Sequence, residues 1–166
     1  MKRRFYPSQK DFTCKNCGIW VSVNPNLSGV SNRNHCPYCL WSRHVDLYAA
    51  GDRLSACKGK MRPIGLTIKR QRKKYGSFLE GELMLIHRCT ECGAVSINRL
   101  AADDDAEQLF SIYEHSLQLD GEFRQKLSGM GIVVVEERHR NLVCQRIKGS
   151  AEIDLNRFDK EVHSSK

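Results

Sequence analysis

The sequence predicts an α+β protein. Residues 12–102 should form a small double module of short antiparallel strands pinned at its turns by cysteines, and residues 103–166 a helix followed by a small antiparallel sheet. Three observations predict this. Cys14/Cys17, Cys36/Cys39 and Cys89/Cys92 form Cys-x-x-Cys pairs, with a lone Cys57 between the second and third. The apolar runs between the pairs are short and alternating, as strands require. After residue 102 an acidic start leads into apolar residues at helical spacing.

Taken in order, residues 1–11 read as a basic flexible arm. The Cys14/Cys17 turn leads into a short strand, Ile19 to Val23, with Ile19, Val21 and Val23 on one face. Residues 24–34, NPNLSGVSNRN, are turn-rich and predict a loop. Trp41 and Tyr48 follow the second pair. Packing over a metal site is their first expectation, base stacking the second. Residues 62–70 predict a strand, 71–77 an exposed basic hairpin tip, 78–88 the return strand and 94–99 another strand. Asp104 is the expected N-cap of a helix, with Glu107 three residues on; Leu109, Phe110, Tyr113 and Leu117 follow, and the helix ends near Asp120-Gly121. A shorter helix is expected over 122–128. The β-branched runs Ile132 to Glu136 and Leu142 to Ile147 predict a hairpin turning near Arg140-Asn141, with a third strand at 151–155 and a frayed KEVHSSK end. Cys144, inside the second run, reads as a buried apolar thiol.

Two cysteines separated by two residues can face one ion across a tight turn, and Zn²⁺ takes four such ligands as a tetrahedron. Cys14, Cys17, Cys36 and Cys39 complete one site in the two-pair zinc pattern. Cys57, Cys89 and Cys92 supply three ligands of a second site. His44 is the preferred fourth ligand and His87 the alternative, so two Zn²⁺ are expected. A disulfide framework is the competing reading, but nothing in the sequence suggests secretion.

The motif Arg33-Asn34-His35-Cys36-Pro37 is followed by Cys39-Leu40, Ser42, His44-Val45-Asp46, Gly51-Asp52-Arg53 and Cys57. Further on come Met61-Arg62-Pro63-Ile64-Gly65, His87-Arg88-Cys89, Cys92-Gly93, Asn98-Arg99 and Asp103-Asp104. Over about residues 10 to 105 this series resembles the RNHCP-domain family of bacteria. The resemblance implies a small cytoplasmic module with zinc-type cysteines, and it carries no catalytic role with it.

The length suits one domain, or a domain with an extension. No apolar run is long enough for a membrane span, and no apolar segment follows the basic start as a signal peptide would need, so a cytoplasmic protein is expected. Net charge is +8, and it is unevenly spread: residues 1–80 carry 16 Lys and Arg against 4 Asp and Glu. Such clustering is the footprint of a polyanion binder. The expected RNA-binding residues are Arg33, Asn34, His35, Arg43, Arg53, Lys58, Lys60, Arg62, Lys69, Arg70, Arg72, Lys73 and Lys74. The function this favours is a non-enzymatic zinc protein bound to RNA, ribosomal RNA above all. The alternative is a zinc-stabilised protein-interaction module docking through its C-terminal part, for instance onto ribosomal proteins. An enzyme is not expected: four cysteines saturate the first metal, and the βαβ context of a redox Cys-x-x-Cys is missing.

Overall fold

The computed structural model of the chain describes residues 10–69 and 80–148. The expectations for residues 1–9, the basic tip at 71–77, the strand at 151–155 and the chain end lie outside the described residues.

Two antiparallel sheets carry the first part of the chain. β1 (Phe12–Thr13) pairs with β2 (Trp20–Val21) around the first Cys-x-x-Cys turn. Only Val21 of the expected apolar face is buried; Ile19 is exposed. The turn-rich stretch contains one helical turn, α1 (Pro25–Ser28), because the Asn24 side chain accepts from the Asn26 N–H and Pro25 presets the first position. β3 (Ser42–Arg43), β4 (Lys60–Lys69), β5 (Glu82–Cys89) and β6 (Val95–Arg99) form a four-stranded antiparallel sheet in chain order.

β5 runs Leu83-Met84-Leu85-Ile86 with all four side chains buried, the mark of a strand covered on both faces. Leu83 and Leu85, with Leu66 and Ile68 of β4, pack against Leu109, Tyr113, Val135 and Val143. Ile86 packs against Leu127 and Val134. Pro63 cannot donate to a ladder, and the register shifts between Pro63 and Gly65, beyond the reach of two-residue β3.

The helices that cover this sheet are α2 (Ala106–Leu117) and α4 (Arg140–Lys148), which supply the first cluster, and α3 (Gly121–Gly129), which supplies the second; a 3₁₀ turn over Glu137–His139 precedes α4. The main cluster therefore draws from both sides of residue 102. Asp105, not Asp104, caps α2, accepting from the Gln108 N–H at 2.8 Å.

The expected C-terminal hairpin does not form. With a period of two, residues 142–147 put Leu142, Cys144 and Arg146 on one face and Val143, Gln145 and Ile147 on the other; neither face is apolar. With a helical period Val143, Cys144 and Ile147 fall together, and Val143 and Cys144 are buried. The 132–136 run pairs with β4 instead. Thr67 bridges Val134, the Val135 N–H donates to the Leu66 carbonyl at 2.9 Å, and the Thr67 hydroxyl donates to the Val133 carbonyl at 2.7 Å. No helix among the described residues is long and apolar enough to cross a membrane.

At Gly65 helix and sheet approach closely. A Cβ there would stand 2.9 Å from the Ser116 Cβ, inside van der Waals contact. Gly65→Ala is expected to destabilise the protein by about 1–3 kcal/mol, as overpacking does. In a double-mutant cycle with Ser116→Gly, read by denaturant melts, the two changes should compensate in part; simple additivity would show that the contact yields freely.

Candidate metal centres

Each Cys-x-x-Cys pair folds as the same hairpin knuckle. The first cysteine's N–H donates to the carbonyl five residues on: Cys14 to Ile19 at 2.8 Å, Cys36 to Trp41 at 3.0 Å, Cys89 to Ala94 at 2.8 Å. Its carbonyl accepts from the residue four on: Gly18, Leu40 and Gly93. That fourth residue must take a left-handed backbone, with φ of 76°, 59° and 74°. Glycine does this without strain in the knuckles of Cys14 and Cys89. In the knuckle of Cys36, Leu40 bears a cost of about 1–2 kcal/mol, offset because its side chain is fully buried in the main core.

The knuckles meet in two donor sets: Cys14, Cys17, Cys36 and Cys39; and His44, Cys57, Cys89 and Cys92. Within each set the ligand atoms all lie within 4.8 Å of one another. Cys14 and Cys39 sulfurs are 3.6 Å apart, Cys17 and Cys36 sulfurs 3.7 Å, and Cys57 and Cys89 sulfurs 3.6 Å. A ZnS₄ tetrahedron with bonds of ~2.3 Å has edges of about 3.8 Å; a disulfide needs about 2.0 Å. The His44 Nδ1 lies 3.2 Å from the Cys92 sulfur. The two sets fit two zinc ions, which would cross-link segments far apart in sequence.

His44, the preferred ligand, is in the second set. His87 is fully buried elsewhere and committed at both nitrogens. Its Nε2 donates to the Leu40 carbonyl at 2.7 Å, so its Nδ1 accepts from the Asn98 amide at 2.9 Å. Burial, and then the neighbouring His35, hold its pKa down to about 3. His87 is thus a neutral prop under Leu40, the strained residue of the Cys36 knuckle.

The Arg33-Asn34-His35-Cys36-Pro37 motif turns inward beside the first centre. Arg33 and His35 are buried. Arg33 donates to Asp103 at 2.8 Å and reaches Asp104 at 3.4 Å. The His35 Nε2 meets both Asp104 oxygens at 2.9 Å. Asp104, itself fully buried, also accepts from the Ala101 N–H at 2.7 Å. The Asn34 amide donates to Asp46 at 2.8 Å. The Pro37 carbonyl accepts from the Asp105 N–H at 2.8 Å, at the cap of α2. The motif is a clasp between the first metal centre and the helix layer. This corrects the expectation that Arg33 and His35 stand on the surface as donors to a polyanion.

Sequence reading missed the partnership: Asp103 and Asp104 read as a helix start and as the end of the family series, not as partners of Arg33 and His35. Their signal was charge matched to Arg33 and His35, some 70 positions upstream and so unconnected by any local pattern. Of the other residues expected to bind RNA, Arg43, Lys60, Arg62 and Lys69 are exposed, Arg53 and Lys58 half-buried; Arg70, Arg72, Lys73 and Lys74 lie outside the described residues. Tyr48, first expected to pack over metal, is 85% exposed, because loop 46–54 wraps around Asp46 and Asp52 and turns its apolar side chains out. Trp41 is half-buried.

Lys10, Phe12, Lys15, Trp41, Arg43 and Arg53 line a groove of about 270 Å³ whose wall includes Cys14 of the first centre. No carboxylate lines it.

Elemental analysis should find two zinc ions per chain. His44→Ala should lose one of them. His87→Ala should keep both yet lower stability by about 2–4 kcal/mol, through the cavity and the orphaned Leu40 carbonyl; loss of a zinc from that variant would make His87 a ligand. Arg33→Met leaves buried Asp104 short of a charge partner and should cost about 3–5 kcal/mol with zinc content unchanged. A denaturation midpoint at the parent's value would show that the clasp is idle.

No curated protein and no solved structure matches the chain. The model of the RNHCP domain matches residues 9–110, which take in both donor sets, the clasp and the first turn of α2. The chain belongs to the RNHCP-domain family.

Proposed function

We propose that this protein is a non-enzymatic, cytoplasmic zinc module that binds RNA through the basic face of its metal-bearing half, with ribosomal RNA as the foremost partner. One observation carries this reading: how that half disposes of its acids. Its described carboxylates before β4 are Asp11, Asp46 and Asp52. Each accepts backbone N–H groups. Asp11 takes that of Val23, Asp46 those of Gly51 and Arg53, and Asp52 those of Leu47, Tyr48, Ala49 and Leu54. The Leu54 N–H above all, and then those of Leu47, Ala49 and Tyr48, hold the Asp52 carboxyl well below the usual carboxylate range. These three acids therefore organise loops rather than screen the surface. Among the described residues, no carboxylate pairs with Lys10, Lys15, Arg43, Lys58, Lys60 or Arg62. Such an uncompensated field favours a polyanion, and phosphate binding by Lys and Arg supplies affinity without sequence choice.

Four protein ligands on each metal leave no open position for water, which supports structural rather than hydrolytic zinc. Thiolate ligands also suit a reducing compartment.

The test is comigration with ribosomal particles on gradients of rising salt, beside filter binding to RNA. Changing Lys15, Arg43, Lys58, Lys60 and Arg62 to Gln should abolish association at moderate salt while both zincs stay. Each phosphate interaction removed should flatten the slope of log affinity against log salt by ~0.7–0.9. A second variant, with Lys69, Arg70, Arg72, Lys73 and Lys74 changed to Gln, asks whether the basic stretch adds to that face. If both variants comigrate as the parent does, the basic face is not the binding surface.

A further inference from the structure

We infer that the groove beside the first metal centre is a seat for one unpaired RNA nucleotide, its base against Trp41 and Phe12 and its phosphate among Lys15, Arg43 and Arg53. This rests on the RNA-binding reading and adds that the strand must be single. The argument begins with size and shape. At about 270 Å³ the groove lies just under the range of small-molecule pockets, roughly 300–1,000 Å³. It takes a unit of nucleotide scale and is too small for a helix. A duplex offers it phosphates only, because its bases are stacked inside.

The lining then divides by chemistry. Phe12 and Trp41 supply aromatic surface, which any base can stack on. Besides Arg33, which the clasp engages, Lys10, Lys15, Arg43 and Arg53 supply cationic groups around it. A site for an uncharged aromatic would not need four cations. A site for phosphate alone would not need two rings.

The walls are rigid, which lowers the entropy cost of binding. Phe12 lies in β1 and packs on the cysteines of the first centre. Arg43 lies in β3, whose register with β4 is fixed at Ser42–Met61 and Arg43–Lys60. The Lys60 ammonium stands 5.6 Å from the Trp41 ring centroid. Arg53 holds a left-handed φ of 57° with its N–H on Asp46 at 3.1 Å. That places its side chain with a backbone few residues adopt. The guanidinium stays 3.9 Å from Asp46, too far for a tight pair, and so keeps donors to offer.

The test uses the zinc-loaded full chain. It has two tryptophans, Trp20 and Trp41. In Trp20→Phe, emission reports Trp41 alone. Four probes are titrated at one salt concentration: a short single-stranded RNA, the same strand with one abasic nucleotide at its centre, a blunt RNA duplex of equal length, and free adenosine monophosphate. The single strand should quench Trp41 and bind at least about tenfold more tightly than the duplex. Trp41→Leu, with both zincs retained, should weaken single-strand binding roughly 5- to 150-fold, as expected for one stacked base, with an unchanged salt slope. Arg43→Gln should instead flatten the slope. If single strand and duplex bind equally and Trp41 emission does not respond, the groove is not a nucleotide seat, although the RNA-binding reading stands. If no RNA binds, both readings fall. If adenosine monophosphate binds as tightly as the strand, the site is for a free nucleotide and the strand inference is overturned.

Discussion

The metal cross-links are what the first half of the fold depends on. Around the first centre the buried residues are Cys14, Val21 and Cys36, with Phe12 and Cys39 partly covered. Fixing one residue's backbone costs about 1–2 kcal/mol. A fully buried aliphatic side chain returns about 1.5–3 kcal/mol. Five small or half-buried side chains cannot order a segment that runs from β1 through the second knuckle. Four thiolates on one ion can, because metal-binding energy is folding energy wherever the site does not exist in the unfolded chain. The two-residue strands β1, β2 and β3 follow from this. They need not be long, since their ends are held by coordination rather than by ladders.

A centre held only by itself would be a bead on a string, and the clasp is what joins it to the sheet and helices. Asp104 is the pivot: a buried carboxylate taking His35, Arg33 and the Ala101 N–H. Burying such charges is costly unless each is paired. Pairing here requires the segment before Cys36 and the segment before α2 to meet in one arrangement, so the cost becomes specificity for one docking. The Pro37 carbonyl on the Asp105 N–H and the His87 ring under Leu40 add two more ties. Leu40 links both systems, with its backbone in the Cys36 knuckle and its side chain in the main core.

What is legible in the sequence follows from range. Metal spacing and capping are local rules, so the two donor sets, β4 to β6 and a helix starting beside Asp104 and Asp105 can be read directly. Spacing favours His44 over His87 because three ligands inside one turn would crowd. The structure adds the positive reason, two internal partners for His87. The burial of Arg33 and His35 escapes a local reading because it is decided by carboxylates about 70 residues away. The run 142–147 misleads when its β-branched residues are weighed above the period of the pattern. Its neighbour 132–136 does take a strand-like path, beside β4 and not beside 142–147.

The inward turn of the motif also reshapes the functional question. With Arg33 and His35 engaged by Asp103 and Asp104, the residues left to meet a partner are those whose charges no described carboxylate answers. Arg43 stands one residue before a ligand of the second centre, and Lys15 sits between two ligands of the first. The metals thus fix cations on short, stiff turns instead of long flexible stems of chain. On the proposed RNA-binding reading, a surface so fixed would lose little entropy on meeting a phosphate. The division of labour is consistent: the acids before β4 bind backbone, the acids before α2 hold the clasp, and Lys15, Arg43, Lys60 and Arg62 stand exposed.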